Sequence, residues 1–160
     1  MSIDSNDFKN AMSQWASGVT IVTTNDGDTP IGMTASSFTS LSMEPPLILV
    51  CINKKLHTHK IIQQNGKFAV NLLSVDQVEW GKRFAMSAIK NRFADIQTTT
   101  ATTGCPILPN CLAWVDCEVW NIYEGGSHSI FVGKIVDLKV NSINAPLLYY
   151  NRKWRKCGDL

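Results

Sequence analysis

The chain has 160 residues, 44% of them hydrophobic and 18% charged, with a formal net charge of +2. That length suits one domain whose core buries roughly 70% of the unfolded surface, and that composition excludes a disordered chain. The small net charge, without a long run of one sign, argues against nucleic acid or an anionic membrane as a partner. The N-terminus Met1-Ser2-Ile3-Asp4-Ser5-Asn6-Asp7 lacks the basic and apolar regions of a secretory signal. No apolar run approaches the ~20 residues that span a bilayer. The cysteines at 51, 105, 111, 117 and 157 are odd in number and read as reduced thiols, so the expected location is the cytoplasm.

The first predicted element is a short helix. Phe8, Ala11, Met12 and Trp15 recur at helical spacing, with Ser5 as cap and Gly18 as stop. Residues 19–24 are all β-branched and end at the turn-rich Asn25-Asp26-Gly27-Asp28. Residues 31–42 follow as a second strand, and the pair reads as a hairpin. Pro45-Pro46 breaks the pattern, and residues 47–52, apolar on both sides, read as a central third strand. One or two helical turns over 59–65, stopped by Gly66, precede a strand at 68–72. Ser74-Val75-Asp76-Gln77 matches a capping box and opens a helix through about Ala85.

Residues 94–111, rich in Thr with Gly104 and Pro106, read as a loop or an edge covering. Residues 112–123 alternate, with Val115, Cys117 and Val119 on one side and Asp116 and Glu118 on the other. Gly125-Gly126 turns the chain, and residues 128–138 return as the partner strand. Pro146 to Tyr150 starts the last segment, and Arg152-Lys153-Trp154-Arg155-Lys156 reads as a solvated tail. The predicted fold class is mainly β: an antiparallel barrel of six or seven strands with flanking helices.

Three segments could carry chemistry. Residues 33–42 present the hydroxyls of Thr34, Ser36, Ser37, Thr39, Ser40 and Ser42, which would let a flat ligand approach the backbone but would equally suit a solvated edge strand. In Asn53-Lys54-Lys55-Leu56-His57-Thr58-His59-Lys60, Thr58 is a candidate N-cap. Free amides and two lysines there would hold a phosphate, or simply form a capped surface helix. Gly125-Gly126-Ser127-His128 delivers a lone histidine to a strand start, which an exposed turn would also do. His57 and His59 would point apart across a helix start, and Cys105, Cys111 and Cys117 match no zinc spacing. No metal site is expected, and the thiols read as buried small hydrophobes. Gly126 to Gly133-Lys134 fails the Walker spacing, and neither a Rossmann glycine fingerprint nor a nucleophile elbow occurs.

Together these segments resemble the short-chain flavin reductase family, whose members serve two-component flavin monooxygenases. The resemblance spans residues 8–150. It rests on Gly18-Val19-Thr20-Ile21-Val22-Thr23-Thr24, on Gly32 to Ser42, and on Pro45-Pro46-Leu47-Ile48-Leu49-Val50. It continues through Thr58-His59, Phe68-Ala69-Val70-Asn71-Leu72-Leu73, Arg92-Phe93, Gly126-Ser127-His128 with Phe131-Val132-Gly133, and Pro146-Leu147-Leu148-Tyr149-Tyr150.

The resemblance implies an FMN-binding split barrel, homodimeric, with FMN or FAD near the subunit boundary and NADH or NADPH as co-substrate. By this likeness Thr34, Ala35, Ser36 and Ser37 line the isoalloxazine, and Ser42 with Val50, Cys51 and Ile52 contacts the ring edge and ribityl chain. Thr58 and His59 sit by the phosphate, Arg92 approaches it or the adjoining chain, and His128 positions the nicotinamide beside the ring. The likeness further implies hydride passage from nicotinamide C4 to flavin N5, with a separate monooxygenase component as the recipient of reduced flavin in many such systems. The chain departs from the family at Ser127, often Asp, and at Ser36, often Asn; the first bears on nucleotide orientation and the second on flavin selectivity. Two rival readings are a non-enzymatic split barrel holding flavin, or haem on His57, His59 or His128, and an oxidase of a phosphorylated pyridine aldehyde that uses the basic run at 152–156.

Overall fold

The computed structural model describes residues 3–141 and 144–158. In chain order the elements are α1 (Ser5–Ser13), β1 (Ser17–Gly18), β2 (Thr20–Asp26), β3 (Thr29–Ala35), β4 (Phe38–Met43), β5 (Pro46–Asn53), α2 (His57–Asn65) and β6 (Lys67–Leu72). A single 3-10 turn at Val75–Gln77 leads into α3 (Val78–Ala85). Then come β7 (Thr99–Thr100), β8 (Pro106–Ile107), β9 (Ala113–Gly125), β10 (His128–Val140), β11 (Leu147–Tyr150) and β12 (Lys153–Lys156).

Seven strands form one antiparallel sheet in the order β3-β2-β6-β9-β10-β5-β4. Its two outermost strands, β3 and β4, are consecutive in the chain and joined only by Ser36-Ser37. Three Cα steps from Ala35 to Phe38 reach at most about 11 Å. The sheet must therefore curl until its edges meet, which makes a barrel split at that seam. The expectation of one strand over residues 31–42 is corrected here: Ala35 pairs with Thr20 on β2, whereas Phe38 pairs with Val50 on β5. Consecutive serines allow the change because their side chains compete for backbone partners and carry little strand preference.

β5 lies between β10 and β4, and its burial alternates, with Ile48, Val50 and Ile52 inside. The barrel core gathers these with Val22, Phe68, Val70, Cys117 and Phe131. Gly133 sits against that core: a Cβ there would lie 2.6 Å from Phe68 Cζ and 3.0 Å from Cys117 Cβ. A second cluster, including Ile21, Leu73, Phe84, Leu108 and Leu147, joins the barrel to α3 and to the small sheet β1-β11-β12.

Several expectations need correction. Asp4, not Ser5, caps α1, its carboxylate accepting from the Asn6 amide at 2.8 Å; the helix stops at Ser13, short of Gly18. β2 runs on to Asp26, into the expected turn. The segment 94–111 carries a short β7-β8 ladder and packs over the barrel. For that reason Asp116 does not face solvent. It is fully buried and accepts from the Thr103 amide at 2.6 Å and the Thr103 hydroxyl at 2.5 Å. The basic run 152–156 is no free tail. Asn151 and Arg152, both at positive φ, turn β11 into β12, and Trp154 packs edge-on to Tyr149 at 5.3 Å. Cys105, Cys111 and Cys117 are buried as expected, but Cys51 is half-buried and Cys157 exposed. The capping box at Ser74 to Gln77 is present as read. No helix among the described residues is long and apolar enough to cross a membrane.

α2 begins at His57 with Leu56 as N-cap, so Thr58 lies inside the first turn, buried, rather than capping it. Gly66, at φ +67°, ends the helix as expected. His59 locks the helix to the barrel: its Nε2 lies 2.9 Å from Ser129 Oγ, and its ring meets Phe131 edge-on at 5.0 Å.

Two outcomes follow for stability. Gly133→Ala should lower the unfolding free energy by about 1–3 kcal/mol in urea titration, because neither Phe68 nor Cys117 has room to retreat. Burial, reinforced by the Lys54 charge and opposed by Glu124, lowers the His59 pKa from 6.5. The unfolded chain then binds more protons as pH falls below that value, so this contribution is complete above it and is lost as pH falls through the folded value. The thermal midpoint should drop between about pH 7 and pH 5, more steeply in the native protein than in a His59→Gln variant.

Candidate functional site

The seam leaves polar groups without strand partners. Ser36 and Ser37 are exposed, and Ser36 makes no backbone hydrogen bond among the described residues. Ser37 pins the seam to β5: its carbonyl accepts from the Cys51 amide at 3.1 Å, and its hydroxyl donates to the Cys51 carbonyl at 2.8 Å. The residues before it are committed inward. Thr34 donates to the Gly81 carbonyl of α3 at 2.7 Å, and the buried Ala35 accepts from the Thr20 hydroxyl at 2.8 Å.

Two hollows meet at Ser36. The larger, about 460 Å³, lies between α1 and the β11-β12 turn, with Phe8, Met12, Trp15, Tyr149 and Ser37 on its walls. The smaller, about 210 Å³, is lined by Val19, Thr34, Ala85, Tyr149 and Trp154. The larger falls within the range of ordinary small-molecule sites. Beside the smaller hollow, Arg92 donates to the Gly32 carbonyl at 2.8 Å and to the Met86 carbonyl at 3.1 and 3.3 Å. Its guanidinium thus ties the segment after α3 to β3.

From the seam, β5 leads to a second polar centre. Cys51 stands beside Ser37, and three more residues of chain, about 10 Å at strand spacing, reach the link into α2. Burial pushes the Cys51 thiol above its ordinary pKa, which disfavours a thiolate. The first turn of α2 has no side-chain cap; the His59 amide donates to the Leu56 carbonyl at 3.1 Å, which leaves the His57 and Thr58 amides as the ones without a partner among the described residues. Lys54 and Lys55 are exposed next to it, and Lys54 pairs with Glu124.

His128 enters at the same end. It opens β10 opposite Asn53 and Gly125, half-buried, with Nδ1 2.9 Å from Ser127 Oγ. The Ser127 carbonyl accepts from the Lys54 amide at 3.1 Å, which fastens the hairpin tip to the start of α2. The other histidines are engaged elsewhere: His57 pairs with Asp26 at 2.7 Å, and His59 is buried on Ser129.

The structure thus groups Thr34, Ala35, Ser36, Ser37 and Cys51 at the seam, and Thr58, His59 and His128 at the far end of β5. Val50 and Ile52 point into the barrel core, fully buried, so only their backbone can meet a ligand. Ser42 sits further along β4, opposite Leu47, and lines neither hollow. Trp15, Ala85, Tyr149 and Trp154 were not singled out from the sequence as site residues. The available signal was the alternation of Lys153, Trp154 and Arg155, with the aromatic side chain inward and the cations outward.

An uncapped helix start and a seam where the Ser36 hydroxyl and peptide groups are left over, joined by one short strand end, form a polar set that suits a flat ring carrying a phosphorylated tail. Residues 12–158 match the flavin reductase-like domain. The reductase component of 4-nitrophenol 4-monooxygenase/4-nitrocatechol 2-monooxygenase from Rhodococcus opacus is 39% identical over 152 residues, covering 95% of this chain and 80% of that protein. Nitrilotriacetate monooxygenase component B from Mycobacterium thermoresistibile superposes with a TM-score of 0.92 at 34% identity, over 96% of this chain and 86% of the other. The NADH:FAD oxidoreductase of Streptomyces globisporus, solved in complex with NAD and FAD fragments, gives a TM-score of 0.90 at 29% identity, over 99% and 97%. The sequence match and the shared split barrel lead to one conclusion: the chain belongs to the flavin reductase-like domain family.

Proposed function

We propose that the chain, an NAD(P)H-dependent flavin reductase, seats the flavin ring at the Ser36-Ser37 seam and its phosphate at the first turn of α2. His128 positions the nicotinamide. The observation that carries this reading is the spacing: an exposed pair of serines and an uncapped helix start lie at the two ends of one short stretch of β5.

A bound flavin supplies the hydride-accepting chemistry. The chain's own contribution is placement. Ser37, fixed on Cys51, gives the ring a rigid edge, and Ser36 offers a hydroxyl and unpaired peptide groups. The amides of α2, with Lys55 nearby, oppose the phosphate charge. Arg92 and Thr34 hold β3 and the segment after α3 in place, so the walls of the smaller hollow do not move apart. His128 orients the nicotinamide so that the reacting atoms meet at roughly 3–3.5 Å. A hydride moves with its electron pair, so no side chain has to remove a proton for the transfer.

The Streptomyces relative, with its NAD and FAD fragments, supports the two-nucleotide reading, and the Rhodococcus relative supports release of reduced flavin to a monooxygenase. A homodimer is part of the proposal. Trp15 is 77% exposed and Met43 on the edge strand β4 is 94% exposed, and large apolar surfaces of this kind are normally covered.

Nucleotide oxidation followed at varied FMN, FAD and riboflavin tests the phosphate seat. The phosphorylated flavins should show KM at least about tenfold below riboflavin, the worth of one charge-assisted contact. Equal values for all three would contradict it. His128→Ala should raise the nucleotide KM by about tenfold while leaving flavin affinity within about twofold. Lost flavin binding with normal turnover at excess flavin would contradict the role given to His128.

A further inference from the structure

Resting on that reading of His128, we infer that Ser127 is its positioning residue, the hydroxyl selecting which ring nitrogen is left for the nicotinamide nucleotide. The imidazole has two distinct nitrogens, and the hydrogen bond made by one fixes what the other can do. Ser127 Oγ lies 2.9 Å from His128 Nδ1. A hydroxyl that donates to Nδ1 keeps the hydrogen of the neutral ring on Nε2. Nε2–H is then a donor, and the acceptor it suits is the carboxamide oxygen of a nicotinamide.

Ser127 can do this because its own backbone is held. It is the second residue of a two-residue turn, after Gly126 at φ +69°, between Gly125 and its ladder partner His128. Its carbonyl accepts from the Lys54 amide at 3.1 Å, so the turn is docked on the β5-α2 link rather than free in solvent. Lys54 also pairs with Glu124 on β9, which closes the other side of the tip. The charged groups nearest the tip neutralise each other. The hydroxyl is the one side-chain partner of the His128 ring among the described residues.

The test compares S127A, S127T and His128→Ala in the intact protein. Three readouts are used: nucleotide KM and kcat with FMN in excess, FMN affinity by fluorescence, and ¹⁵N NMR of the imidazole rings. The chain has 3 histidines, so the His128 signals can be assigned by their loss in His128→Ala. S127A should raise the nucleotide KM about three- to tenfold, the effect of one lost hydrogen bond, with kcat and FMN affinity nearly unchanged. The His128 ¹⁵N shifts should move from the Nε2–H form toward a mixture of tautomers. S127T, which keeps the hydroxyl, should recover most of both effects. If His128→Ala raises the nucleotide KM and S127A changes neither KM nor the ¹⁵N shifts, the assignment of Ser127 is overturned while that of His128 stands. If His128→Ala leaves the nucleotide KM unchanged, the role of His128 falls and that of Ser127 falls with it.

Discussion

The structure depends on a change of partner. β3 ends on β2, β4 begins on β5, and two serines cross from one edge of the sheet to the other. Because that crossing is so short, the sheet has to close, and in crossing, the Ser36 backbone joins neither ladder while Ser37 keeps one bond to β5. The unsatisfied groups are tolerated only where water or a ligand can reach them. The same constraint that shapes the barrel therefore creates the polar edge at its opening. Thr34, held on the Gly81 carbonyl, and Ser37, held on Cys51, fix the two sides of the seam to different elements.

A second centre is organised by Lys54. Its amide holds the Ser127 carbonyl, its ammonium pairs with Glu124, and its charge helps keep the buried His59 unprotonated. One residue thus ties the β9-β10 hairpin, the end of β5 and the first turn of α2 into a unit. Ordering these groups in advance matters because hydride transfer is demanding in distance and alignment and asks little else of the protein.

Much of this was legible in the residues. The β-branched run at 19–24, the Gly66 stop and the Ser74-Gln77 capping box are local signals whose physics is complete within a few positions; the stop and the box form as read, and the run forms a strand shifted to 20–26. Asp116 misled because alternation alone cannot show that a distant segment will cover the outer face; its partner Thr103 is 13 residues away and lies in the least patterned stretch. Residues 31–42 read as one strand because the change of partner is a property of the whole sheet and leaves no periodicity in the segment. Thr58 is a good capping residue by type, yet Leu56 takes the cap because the strand end and the Lys54 contact set where the helix begins. Gly133 carried its reason in three dimensions only: Phe68 lies where a side chain would go. The walls from Tyr149 and Trp154 were hidden for a related cause, since a run with four cations in five residues looks solvated until β12 is seen paired to β11.

The seam is open to a direct measurement. Ser36 is exposed and lines both hollows, so Ser36→Leu should leave folding intact while filling the seat proposed for the ring. Fluorescence titration of FMN against this variant, with circular dichroism to verify the fold, should show affinity weakened by about tenfold or more, the combined effect of a lost hydrogen bond and a steric clash. A folded Ser36→Leu protein that binds FMN as tightly as the native chain, and oxidises nicotinamide nucleotide as fast, would place the flavin elsewhere.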